Sequence, residues 1–422
     1  MSRKPNTGKL TVDDKGCGSL SGEKEMRQGN RLLDFLSNLG SKEDKLVLNA
    51  LGIDFVAAVE MDSFELVPGL SGPSRSRDID LTQIAGTHLH HGTICFDSLP
   101  KVEGQPQGCS WGLWDPDDEL GTLNYLTPEV VKDAAKEIQT GVRFRLDLRL
   151  DHFDQRVAGR EGFKHQIFDF KKRLPGTMYD FYGHDDVLTF NTQSSSQWDG
   201  YRHIGIQESA TYYKGAEHQH VVAESAKGKM GIHKWVENGG IVGRAILLDY
   251  HRWRAEIGKP SVSANSTFAI TGEELNEVAR HQGTEFRPGD ILVIRTGFTA
   301  WHLKASDEDK KTSTEKGAFI GVESSMASVR WLWNHHFAAV ACDTLGFECT
   351  PIAFSDSTQT RLHDWLVAHW ATPIRELWNL EDLSEECARQ GRWSFFLTSA
   401  PLHVHGGVGT LPTSLRCCRQ ID

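Results

Sequence analysis

The chain has no run of 18 or more apolar residues, so no segment is expected to cross a membrane as a helix. It has no Lys/Arg-rich stripe either. Its 46 basic and 57 acidic residues give a net charge of −11, which argues against nucleic acid or an anionic membrane as partner. The 8 cysteines are scattered, with no CxxC pair and with Cys417 and Cys418 adjacent. That pattern excludes a zinc ribbon and points to reduced thiols in a cytoplasmic protein rather than to a disulfide framework. The N-terminus, Met1-Ser-Arg-Lys-Pro, is basic but has no apolar stretch behind it, so no secretory signal is expected. A GxSxG elbow, a GxGxxG turn after a strand and a GxxxxGK[ST] loop are all missing. Serine-hydrolase elbow chemistry and nucleotide cofactors therefore have no support.

What is present falls into three parts. Residues 1–92 read as an N-terminal extension: polar and disordered over 1–25, one or two amphipathic helices within 27–60, then a Pro/Gly/Ser-rich linker over 66–93. Residues 93–415 read as a catalytic domain and 416–422 as a tail. Inside the domain, Thr127-Pro128-Glu129 starts a helix, with Thr as cap and Pro in the first turn. Thr271-Gly-Glu-Glu274 starts another through a capping box. Strand patterns occur at Val142–Leu150, Ile241–Tyr250, Ile291–Thr296, Phe337–Cys342 and Phe395–Ser399, the last read as the final strand. Helical patterns at Ser324–Asn334 and Leu362–Trp370 alternate with them, which implies an α/β fold with a mixed sheet.

Two segments carry the chemistry. The first runs from Gln193 through Ser195, Ser196, Gln197, Asp199 and Tyr201 to His203; the second contains His363, His369 and Glu376. A short strand ending in a polar turn can present Asp199 and His203, and a distant helix can bring a second imidazole and carboxylate to the same place. Such a group makes a divalent-cation site or a general acid–base pair. Read by spacing alone, each segment also fits a surface turn or a packed helix. His218 and His220, His335 and His336, and His403 and His405 lack a carboxylate in an adjoining turn and are expected to be structural. His88, His90 and His91 lie in the linker-like front end and are set aside.

The first segment resembles the signature His-x-Gly-Thr-His-x-Asp-x-Pro-x-His of the cyclase family that includes bacterial kynurenine formamidase and isatin hydrolase. On this chain the signature's histidines fall on Gln193, Gln197 and His203, its Gly-Thr on Ser195-Ser196, its Asp on Asp199 and its Pro on Tyr201. The family's later metal-site His and Glu match His363 and Glu376, with one extra residue between them. Blocks at Gly243–Asp249, Pro288–Gly297, Ala339–Thr344 and Ala400–Gly409 agree in order, so the likeness spans about residues 96–412. The Trp111–Asn124 block and the glutamines resemble the fungal branch, whose members often serve specialised metabolism.

The resemblance implies a swivelling β/β/α-type domain, usually a homodimer, acting on a small-molecule substrate. It implies a metal held by Asp199, His363 and Glu376, with His203 as the acid–base histidine. Glutamine at two imidazole positions tilts such a site from zinc toward Mn²⁺ or Mg²⁺, or removes the metal altogether. Three functions follow as expectations. One is a metal-assisted hydrolase of amide or cyclic-amide C–N bonds. Another is a metal-independent cyclase or dehydratase-like lyase, in which Gln193, Gln197 and Ser195 bind substrate. The third is an inactive relative kept as a scaffold.

Overall fold

The computed structural model describes residues 93–153, 159–222, 229–352, 356, 358–411 and 413–419. The disorder and helices expected before residue 93, and the His88–His91 cluster, lie outside these residues. The strands are β1 (Thr140–Arg145), β2 (Lys164–Asp169), β3 (His184–Thr189), β4 (Gln197–Asp199), β5 (Ile241–Asp249), β6 (Ala269–Ile270) and β7 (Ile291–Arg295). They continue with β8 (Gly321–Val322), β9 (Ala339–Cys342), β10 (Ile374–Glu376), β11 (Ser394–Ala400), β12 (Gly409–Thr410) and β13 (Thr413–Arg419).

Nine of them form one mixed sheet in the order β1-β13-β11-β5-β7-β9-β10-β4-β12. The central run β5-β7-β9-β10 is parallel, and antiparallel pairs flank it. Parallel strands covered on both faces must be apolar at nearly every position, as Ile291-Leu-Val-Ile is. Alternate residues then serve two cores. Ile246, Leu248, Leu292, Ile294 and Val340 pack with the helices Gly272–His281 and Met326–Asn334. Ala245, Leu247, Ile291, Val293 and Ala339 pack with Trp198, Trp235 and Trp378. The caps lie where the sequence puts them: Thr127 accepts from Val130 N, and Thr271 and Glu274 close a capping box.

Some elements differ. The alternating run from Val142 to Leu150 is strand only as far as Arg145. Beyond it Leu146 and Leu148 stay buried, but the backbone turns to side chains for partners, Leu148 N donating to Ser196 Oγ at 2.9 Å. Phe395–Ser399 is not the final strand: β13 pairs with both β1 and β11, so a boundary at residue 415 falls inside it. The segment Asp364–His369 is a π-helix following a short α-helical entry. Cys95, Cys109, Cys342, Cys349 and Cys387 are free. Among the described residues no helix is long and apolar enough to cross a membrane.

Candidate active site

β4 and β10 lie antiparallel, with Asp199 opposite Ile374 and Gln197 opposite Glu376. Side chains alternate along a strand, so Gln197, Asp199 and Glu376 share one face. Trp198 takes the other and packs edge-on against Trp235 and Trp378. Glu376 thus comes from a strand and not from the helix that the sequence suggests. The helical segment ends at His369, and Pro373, just before β10, biases Thr372 toward an extended backbone. His363 enters from the first turn of that segment, where a new carboxylate meets it: Glu348, in the loop after β9, fully buried.

His363 is the hub. Its Nδ1 lies 2.6 Å from Glu348 Oε2, and its backbone N donates to Glu348 Oε1 at 3.1 Å. Its Nε2 lies 3.5 Å from Asp199 Oδ2 and 3.4 Å from Glu376 Oε1. Glu376 also accepts from Gln197 Nε2 at 2.8 Å and from Phe347 N at 3.2 Å. His203 Nε2 stands 3.8 Å from Asp199 Oδ1. Both Asp199 oxygens, both Gln193 amide atoms and Gln197 Oε1 are buried without a hydrogen-bond partner.

Burial and mutual charge set the protonation. Burial opposes ionisation of Asp199, but the His203 and His363 imidazoles outweigh it and hold the carboxyl below its ordinary value. Burial and the charge of Asp199 push Glu376 up to about 7. His363 is held well above the usual imidazole value, burial being overridden by Glu348, Asp199 and Glu376. His203 is pushed down, mainly by burial. The site therefore keeps one carboxylate charged, one carboxyl near neutrality and one imidazole, His203, neutral.

The donor set fits a divalent cation. One ligand atom each from Asp199, His363 and Glu376 lies within 4.8 Å of the others. Bonds of about 2.1 Å put neighbouring ligand atoms ~3.0 Å apart around an octahedral ion and ~3.4 Å apart around a tetrahedral one. The two His363 Nε2 separations lie at the upper end of that range and are long for a hydrogen bond. The Glu348 bond to Nδ1 directs Nε2 inward, as the outer partner of a metal-ligating histidine does. The unpaired Asp199 oxygens are what such an ion would satisfy.

Other expected residues lie apart from this group. Ser195 is fully buried and its hydroxyl donates to Arg149 O at 3.0 Å. Ser196 bridges Leu377 O and Leu148 N. His369, the last residue of the π-helix, packs between Trp365 and Trp111 rather than in the centre. Tyr201, at the signature's proline position, donates to Leu120 O. His335 and His336 contact Trp331 and Tyr125, and His218 stacks on Tyr212. Glu348 was not singled out from the sequence. Its only signal there is a lone acidic residue in an apolar loop five positions after Asp343.

A family model described as "Putative cyclase" matches residues 79–349. No curated protein matches. Among solved structures, one titled as a novel cyclase is similar at 29% identity and TM-score 0.64, over 73% of this chain and 99% of its own. Isatin hydrolase A from Labrenzia aggregata is similar at 12% identity and TM-score 0.44, over 69% of this chain and 98% of its own. A "predicted metal-dependent hydrolase" from Bacillus stearothermophilus is similar at 14% identity and TM-score 0.38, over 65% and 97%.

Proposed function

The chain belongs to the putative cyclase family, and from that premise we propose that it is a hydrolase of amide or cyclic-amide C–N bonds. The observation that carries this reading is the buried convergence of Asp199, His363 and Glu376, with Glu348 orienting the His363 ring. A divalent ion held by those three residues supplies Lewis acidity toward a carbonyl oxygen and acidifies water. Two carboxylates and one imidazole form an oxygen-rich donor set, which tilts the choice of ion from Zn²⁺ toward Mn²⁺ or Mg²⁺.

The chain's own groups do the rest. His203, kept neutral by burial and facing the Asp199 carboxylate, takes a proton from the attacking water. The water oxygen bonds to the carbonyl carbon, the C–N bond breaks, and His203 returns the proton to the departing nitrogen. The products are a carboxylic acid and an amine, joined in one molecule when the substrate is cyclic. Gln193, buried with a free amide, orients a substrate oxygen.

The test is metal content of protein purified without chelator, together with hydrolysis of formylkynurenine, isatin and related lactams with Mn²⁺ or Zn²⁺ supplied. About one equivalent of metal, lost in Asp199→Ala, and turnover of at least one amide are expected. A folded protein with no metal and no turnover rejects the reading.

One observation favours a metal-independent lyase instead. Glu376 already has two donors, Gln197 and Phe347, and at about 7 it can hold a proton and act as an acid beside the charged Asp199. Metal-free protein that dehydrates or cyclises a substrate would establish that alternative.

A further inference from the structure

β2 and β3 form a sheet of their own, paired with no other strand among the described residues. The chain enters this hairpin after Arg160 and leaves it before Gln193. Arg160 donates to Gln193 O at 3.1 Å, so the two ends are held together. Every residue of β3 and the first four of β2 are exposed. Large apolar side chains stand in water on both strands and at the tip. Ile167 is 63% exposed, Met178 77% and Tyr182 90%, with Phe181, Val187 and Leu188 close to half. A lone two-stranded hairpin is marginal in water and needs further strands or a covering surface. Two such arms offer ~1,200 Å² of exposed apolar surface, the lower end of what a specific interface buries. The arm is also electrically neutral, its four basic residues over 164–189 balanced by four aspartates, in a chain of net charge −11. It is therefore a place where two like-charged copies can approach without repulsion.

We propose that the hairpin is a dimerisation arm, pairing antiparallel along the outer edge of β2 with the same arm of a second copy. An exposed edge is a template for such pairing, and the product is a four-stranded sheet. Opposite residues of an antiparallel pair share a face, so a two-fold axis must pass beside one residue that faces its own copy. Centred on Ile167, the axis sets that apolar side chain against itself. It also sets His165 opposite Asp169 of the partner subunit, an imidazole beside a carboxylate at each end. The same operation in β3 sets Asp186 against itself or against Leu188, which favours β2. Antiparallel pairing carries the tip of each arm, with Met178, Phe181 and Tyr182, to the root of the other. There the tip rests on the partner's body rather than in water.

The test is the mass of the full chain by sedimentation equilibrium, together with cross-linking at single positions. Wild type is expected to be a dimer. Ile167→Lys opposes two ammonium groups at the axis and should raise the dimer dissociation constant about 100-fold. Circular dichroism should stay unchanged, because the side chain it replaces is exposed. Ile167→Cys should remain a dimer under reducing conditions and become covalently dimeric on mild oxidation. A residue facing its own copy in an antiparallel pair has its Cα within disulfide reach. Leu188→Cys, one strand further out, should cross-link no more than wild type. A monomeric wild type overturns the proposal, the arm then serving a different partner. A dimer untouched by Ile167→Lys overturns it too, because the copies then meet elsewhere. So does failure of Ile167→Cys to cross-link above the wild-type level. None of these outcomes depends on metal or on amide turnover, so the hydrolase reading stands or falls separately.

Discussion

His363 owes its direction to Glu348 more than to its own helix, since two hydrogen bonds to that carboxylate hold its ring and its backbone N. Replacing such an outer carboxylate typically lowers metal affinity about 10–100-fold. Glu348→Gln is therefore expected to release metal to a competing chelator at a correspondingly lower chelator concentration than wild type, with the fold unchanged by circular dichroism. Gln197 has a task of its own: its amide donates to Glu376 across the strand pair. Gln197→His puts an imidazole nitrogen at that position. When the variant is offered equal Mn²⁺ and Zn²⁺, elemental analysis is expected to show a shift toward zinc.

Among the elements, the π-helix Asp364–His369 takes one more residue per turn than an α-helix. His369, at the end of the π-helix, lies among tryptophans rather than at the centre. β12 bears on the site through Gly409, where a Cβ would lie 2.4 Å from Gln193 Nε2 and 3.0 Å from Trp198 O. Gly409→Ala is expected to displace the Gln193 amide and destabilise the fold by about 1–3 kcal/mol in urea titration. The capping box was legible because its partners are three residues apart. Thr271→Ala should cost about 1 kcal/mol in the same measurement.

At the scale of the molecule, buried histidines link stability to pH. Burial pushes His369 down to about 4 in the folded protein, against an ordinary value of 6.5. The unfolded chain then binds a proton near 6.5 that the folded chain refuses until about 4. The stabilisation is complete above 6.5 and is lost as pH falls through that window. Wild type should lose about 2 kcal/mol between pH 6.5 and pH 5 that His369→Phe does not lose, compared by denaturant unfolding at the two pH values. Equal losses in both proteins would refute the assignment.

The sequence by itself determined what is written in neighbouring residues. The caps at Thr127 and Thr271, the doubly buried runs of β5 and β7, and the pairing of Asp199 with His203 four residues on are all short-range patterns. Tertiary structure alone decided that Glu376 comes from a strand, that Glu348 completes the group, and that Ser195 serves the backbone. It also placed β13 between β1 and β11. The physical reason is that register between strands remote in the chain is set by pairing and burial together. Gln197 and Glu376 touch across 179 positions, and no local preference at either residue encodes that contact.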